Sequence, residues 1–110
     1  MSHDEIVLIY STWPDTATAT AAGRALVEKR IAACANILPA MTSVYRWEGR
    51  IETGSEAVMV IKTRALLADE AIAAARELHP YEVPAFVTLP ARGGHGPYLD
   101  WILAETPLAN

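Results

Sequence analysis

The chain has 110 residues, of which 52% are hydrophobic and 20% charged, and its formal net charge is −4. It is too apolar for a disordered chain and of a length for one domain, residues 1–110, with about two thirds of its unfolded surface buried in a single core. The acidic balance and the lack of a basic run exclude a nucleic-acid surface, and apolar runs of about five residues exclude a membrane span, which needs roughly twenty.

Residues 5–12 read as a strand with an unbroken apolar middle, so both of its faces are expected to be buried. Trp13-Pro14-Asp15 turns the chain. Asp15 is an N-cap for an Ala-rich helix running to about Ala33, with Ala19, Ala22 and Leu26 on one face and Thr20, Arg24 and Glu28 on another. Residues 34–63 then form one long β-hairpin folded at Glu48-Gly49-Arg50, where Gly49 supplies a residue tolerant of positive φ. Each arm exceeds a typical strand of roughly five or six residues, so the ribbon is expected to reach beyond its own domain. Its second arm is apolar on both faces from Ala57 to Ile61, which requires cover on both sides. A second helix follows over residues 66–78, with Ala68, Ala71, Ala75 and Leu78 on one stripe, and His79-Pro80 ends it because proline disfavours helical geometry before it. Residues 85–90 are the fourth strand. A Gly-rich loop, residues 92–97, leads to a short last helix, residues 98–105, presenting Trp101 and Ile102.

This order predicts an α+β class, the ferredoxin-like βαββαβ pattern with a long β-hairpin and a short C-terminal helix. Its sheet normally has one open face. Here that face is apolar, so other subunits are expected to cover it, and a homo-oligomer follows.

Several side chains stand out chemically. His79 suits copper or zinc as neutral imidazole, or else caps the C-terminus of its helix. Cys34 is a soft thiolate candidate for copper, or a small buried hydrophobe. As the single cysteine it forms no internal disulfide, in keeping with a cytoplasmic setting. Tyr45 and Trp47 share one face near the hairpin tip, where aromatic pairs anchor interfaces or stack on ligands. Lys62 interrupts a buried strand and needs a carboxylate, with Glu48, Glu52 and Glu82 available, or else marks an anion subsite between subunits. The Gly-rich loop lacks the spacing of a phosphate loop and reads as a connector. His3 and His95 lie in segments where they would bind metal adventitiously. No nucleophile, base and acid set emerges, so an enzyme is not expected.

Four stretches carry a family likeness: Arg30-Ile31-Ala32-Ala33-Cys34-Ala35-Asn36-Ile37, Ser43-Val44-Tyr45-Arg46-Trp47-Glu48-Gly49-Arg50-Ile51-Glu52, Ile61-Lys62-Thr63, and His79-Pro80-Tyr81-Glu82-Val83-Pro84. Together they resemble the CutA family, the divalent-cation-tolerance proteins. The resemblance implies a PII-like homotrimer whose hairpins embrace neighbouring subunits, and a divalent metal ion, copper foremost, as the bound species. The ligand positions of copper-binding members fall here at Ser11 and at Leu78-His79. His79 from these positions and Cys34, the soft thiolate named above, are the expected metal ligands at an intersubunit site. In the alternative, a PII-like signalling scaffold, Tyr45, Trp47, Lys62, Tyr81 and Glu82 line a cleft for a small anionic molecule or a partner protein, and metal is incidental.

Overall fold

The computed structural model describes residues 6–108. Its centre is β1, Ile6–Trp13, which pairs antiparallel with β3, Arg50–Arg64, on one side and with β4, Phe86–Pro90, on the other. Strand β2, Cys34–Trp47, pairs antiparallel with β3, giving a four-stranded sheet in the order β2-β3-β1-β4. Three helices, α1 at Thr16–Glu28, α2 at Ala68–Glu77 and α3 at Gly96–Glu105, complete the α+β architecture. Element order and type follow the sequence expectation. Residue 5 and His3, named above, lie outside the described residues.

Alternation along the strands decides which side each residue serves. Val7, Ile9 and Trp13 of β1, with Met59 and Ile61 of β3, share a core with Ala19, Ala22 and Leu26 of α1 and Ala68, Ala71 and Ala75 of α2. Helices α1 and α2 therefore cover one face. The small alanines let α1 approach closely, and Gly23 closer still: a Cβ there would lie 2.9 Å from both the Ala35 Cβ and the Met59 Sδ.

Local chemistry explains most boundaries. The Asp15 carboxylate accepts the Thr18 N–H at 2.7 Å, which caps α1 as expected and lowers the Asp15 pKa below its ordinary value. The other end departs from the expected Ala33. Helix α1 stops at Glu28 because Arg30 takes φ of 60° and two bonds close the end, Ile31 N–H to Leu26 O at 3.1 Å and Arg30 N–H to Val27 O at 3.0 Å. That pattern normally uses glycine, so no sequence signal marked it. Helix α2 begins at Ala68 after a 3-10 turn, Ala65–Leu67, and Leu78 is not on its buried stripe: it follows the last helical turn and is 48% exposed.

The hairpin turns where predicted. Glu48 and Gly49 have φ of 49° and 79°, the two positive values that a tight turn matched to strand twist requires, and Trp47 pairs with Arg50 across it. Between Leu38 and Met41 the register shifts by one residue, with Ala40 at φ of 60° beside Pro39. This bulge coincides with the end of β1, whose Trp13 pairs with Ala57. Beyond it the ribbon from Met41 to Glu56 runs as two strands only, and the chain measures 47 Å along its longest axis against 25 and 21 Å across.

The other face of the sheet is covered at one end by the chain itself, a correction to the expectation that only other subunits could cover it. Leu99, Ile102 and Leu103 of α3 pack with Ile6 and Ala33. Arg64 secures this helix, its Nε and Nη2 donating to the carbonyls of Thr106 and Leu103 at 2.6 Å each. Of the two residues this helix was expected to present, Ile102 is buried and Trp101 is 41% exposed. The rest of that face still presents Leu38, Val87 and Leu89 as exposed side chains.

Candidate functional site

Two clusters gather the residues of interest, and they lie apart. The first forms where β1 ends. Trp13 is fully buried, and its indole N–H donates to the Ser11 hydroxyl at 2.8 Å, which in turn donates to the Met59 carbonyl at 2.9 Å. The His79 ring stacks on Trp13 with centroids 4.1 Å apart and meets Phe86 edge-on at 5.9 Å. Its Nε2 lies 2.7 Å from the Thr12 carbonyl, and its Nδ1 accepts the Tyr81 N–H at 3.2 Å. Since a carbonyl cannot donate, Nε2 carries the proton and Nδ1 the lone pair. Both nitrogens are engaged, and the ring is buried.

Tyr81 extends the cluster outward. Its hydroxyl donates to Glu56 Oε2 at 3.1 Å, while Ser43 donates to Glu56 Oε1 at 2.8 Å. Partial burial, and then the bond to the Glu56 carboxylate, raise the Tyr81 pKa above its ordinary value. Glu82, next along, is exposed.

The second cluster sits on the opposite face under α3. Lys62 Nζ donates to the Tyr98 hydroxyl at 3.0 Å and stands 5.2 Å from the centre of that ring. Cys34, the residue in register with Lys62 across β2 and β3, brings its Sγ to 3.6 Å from the same hydroxyl. The expected carboxylate partner is thus replaced by a phenol: none of Glu48, Glu52 or Glu82 pairs with Lys62. Tyr98 also stacks on Trp101, centroids 5.7 Å apart.

The bond to Tyr98 is the main reason the Lys62 pKa lies above its ordinary 10.5, with burial opposing it. A raised folded pKa means that this stabilisation is complete below the ordinary lysine value and is lost as pH rises through the raised one. Lys62→Met should therefore cost under about 1 kcal/mol near neutrality, since the pair is solvent-screened, and should flatten the alkaline fall in stability. Denaturation curves taken across the alkaline range check this; a variant whose stability falls as steeply as the wild type would assign the fall to another group.

The expected metal ligands do not meet within one chain. His79 is fixed at Thr12, whereas Cys34 faces Lys62, whose β1 partner Leu8 lies about 13 Å along the strand from Thr12. Ser11 is engaged by Met59 and Trp13, and Cys34 has an ammonium for a neighbour, which disfavours a cation. Among the described residues no group of three His, Cys, Asp or Glu side chains could hold a metal ion. One chain therefore does not fit a preformed copper site.

Tyr45 and Trp47 do share a face of the hairpin, in register with Glu52 and Arg50, and both are exposed. They lie far from Lys62, whereas Tyr45 comes within electrostatic range of Tyr81, so the expected cleft residues do not all converge within one subunit. Sequence reasoning missed Ser43, Glu56 and Tyr98. A signal existed for Glu56, the charged residue immediately before the two-sided apolar run 57–61. Tyr98 had none, because its role depends on where α3 lands.

The comparisons decide the family. Residues 7–105 match the family model described as CutA1 divalent ion tolerance protein. The chain belongs to the CutA family. The human Protein CutA is 44% identical over 97 residues, 88% of this chain, and the Thermus thermophilus divalent-cation tolerance protein CutA is 41% identical over 103 residues, 94% of this chain and 98% of its own. This chain spans about half the length of the mammalian relatives, 52% of the mouse protein and 54% of the human one. The crystal structure of CutA from Xylella fastidiosa superimposes with a TM-score of 0.91 at 41% identity, covering 94% of this CutA-family chain and 99% of that one. Plant relatives are named as chloroplastic. Among the described residues here, no helix is long and apolar enough to cross a membrane.

Proposed function

We propose that this divalent-cation tolerance protein is a ferredoxin-like, PII-like homotrimer that acts as a non-enzymatic scaffold in the cytoplasm, with a small anionic ligand held in the clefts between subunits. The observation that carries this reading is Lys62: a partly buried ammonium on the sheet face that donates to the Tyr98 hydroxyl, itself 3.6 Å from the Cys34 Sγ, with no carboxylate among the described residues acting on it. A cation with no acid beside it among the described residues favours an anion once a neighbouring subunit narrows the site and excludes solvent. Exposed apolar side chains on both faces of the hairpin, Val44 at 69% and Ile51 at 62% on one, Tyr45 and Trp47 on the other, support its burial between copies. Nucleic acid and membrane are not part of this reading.

A second reading, favoured by the family's description as divalent ion tolerance proteins, has a divalent cation, copper foremost, bound between subunits through His79 or Cys34. Calorimetry separates the two. Cu(II), with Zn(II) for comparison, is titrated in a weak competing chelator into wild type and His79→Gln, with His3 and His95 replaced in both. We expect no saturable copper binding that depends on His79, because its two nitrogens are already engaged. Binding at a whole-number ratio per trimer that disappears in His79→Gln would establish the metal reading instead.

A further inference from the structure

The bonds that run outward from His79 lead to the base of the hairpin, and that path has a consequence beyond holding a ring in place. A two-stranded ribbon has little stability of its own, so the angle at which it leaves a sheet is set by whatever braces its base. Here the ribbon beyond the bulge extends roughly 20 Å from the Met41 and Glu56 pair to its turn, counting about 3.4 Å per residue. Any freedom at that pair is multiplied at Trp47. Glu56 is the residue of β3 immediately beyond the end of β1, and its carboxylate receives two hydroxyls, Ser43 from the adjoining arm and Tyr81 from the loop between α2 and β4. Tyr81 in turn is held by its N–H on His79, and His79 by the Thr12 carbonyl. A second contact at this pair is weaker: the Tyr10 hydroxyl lies 3.5 Å from the sulfur of Met41, the register partner of Glu56, and a thioether is a poor acceptor.

We propose that Tyr81 and Glu56 form a strut that sets the stance of the hairpin, so that the loop after α2 governs how the ribbon is presented to neighbouring copies. His79 and Tyr81 are then positioning residues for assembly. The chain Thr12, His79, Tyr81, Glu56, Ser43 ties the end of β1, the most deeply buried strand, to the element that projects furthest from it. A bond to a carboxylate is among the stronger hydrogen bonds, and this one ties the loop after α2 to β3 at the base of the hairpin. The importance of the stance for assembly rests on the trimer reading given above; the strut itself does not.

The test uses the full chain as wild type, Tyr81→Phe, Glu56→Gln and the double variant, the first change removing only a hydroxyl. Hydrogen exchange followed by mass spectrometry reads the hairpin amides over residues 42–53 against those of β1, and mixing isotopically light and heavy protein reads how fast subunits exchange. Each single variant is expected to speed hairpin exchange about tenfold, the order expected for one bond to a charged group, with β1 unchanged. The double variant should fall short of the product of the singles, because Tyr81→Phe removes a bond that Glu56→Gln already weakens. Subunit exchange should quicken in parallel. Unchanged hairpin protection in both single variants, or a double effect equal to the product of the singles, would overturn the strut. A wild type that shows the exchange pattern but has the mass of a monomer would overturn the trimer reading and leave the strut standing.

Discussion

Trp13→Ala is expected to be the most damaging single substitution in the core, at about 3–5 kcal/mol, the range for deleting a large buried aromatic. Trp13 has 0% relative exposure, lies beneath the His79 ring and meets Phe86 at 85° with centroids 6.1 Å apart. Truncation leaves a cavity under His79 and removes the donor to the Ser11 hydroxyl. Trp13→Phe keeps an aromatic platform and loses mainly that bond, so it should cost about 1–2 kcal/mol. Guanidinium unfolding of both variants at matched protein concentration checks the ranking, matched because unfolding of an assembled protein depends on concentration. If Trp13→Ala cost less than about 1 kcal/mol, His79 and the loop after α2 would have to be held by something other than this stack.

Trp47→Ala is expected to have the second largest effect, and on association rather than on the fold of one chain. Trp47 is 54% exposed at the last pair of the hairpin, beyond any strand of its own subunit other than its partner arm. On the proposed trimer reading an aromatic in that position is buried against another copy, and such anchors are worth about 2 kcal/mol or more when truncated. The dissociation constant of the assembly should rise at least roughly thirtyfold. Trp101→Ala should weaken it less, since Trp101 already stacks on Tyr98 within its own chain. Sedimentation over a dilution series gives both values. Equal losses would move the interface away from the hairpin tip and toward α3.

Together the two substitutions divide the protein by the source of its burial. Trp13 is covered by residues distant in sequence but in the same chain, among them His79 and Phe86. Trp47 has only the ribbon around it. An apolar side chain left half in water on a projecting element has the composition of an interface core without its partner.

Much of this could be read from local chemistry. The Asp15 cap, the Glu48-Gly49 turn and the stripes Ala19, Ala22, Leu26 and Ala68, Ala71, Ala75 depend on neighbours within a few residues, so spacing alone disclosed them. The end of α1 was hidden because Arg30 takes a conformation usually left to glycine, held by bonds that residue type does not announce. Leu78 was misplaced because the stripe was continued past the point where helical geometry stops.

What the sequence determined by itself is the set of elements, their order and the family, because periodicity, caps and motifs are short-range or simply present in the letters. What only the tertiary structure decided is which partner each chemically ambiguous residue has. His79 read as a metal ligand or a helix C-cap until the Thr12 carbonyl, 67 positions away, engaged its Nε2. Lys62 called for a carboxylate until Tyr98, 36 positions away, supplied a hydroxyl instead. A buried polar group must find a partner, and the identity of that partner is set by which distant segments the packed sheet and helices bring within hydrogen-bonding distance.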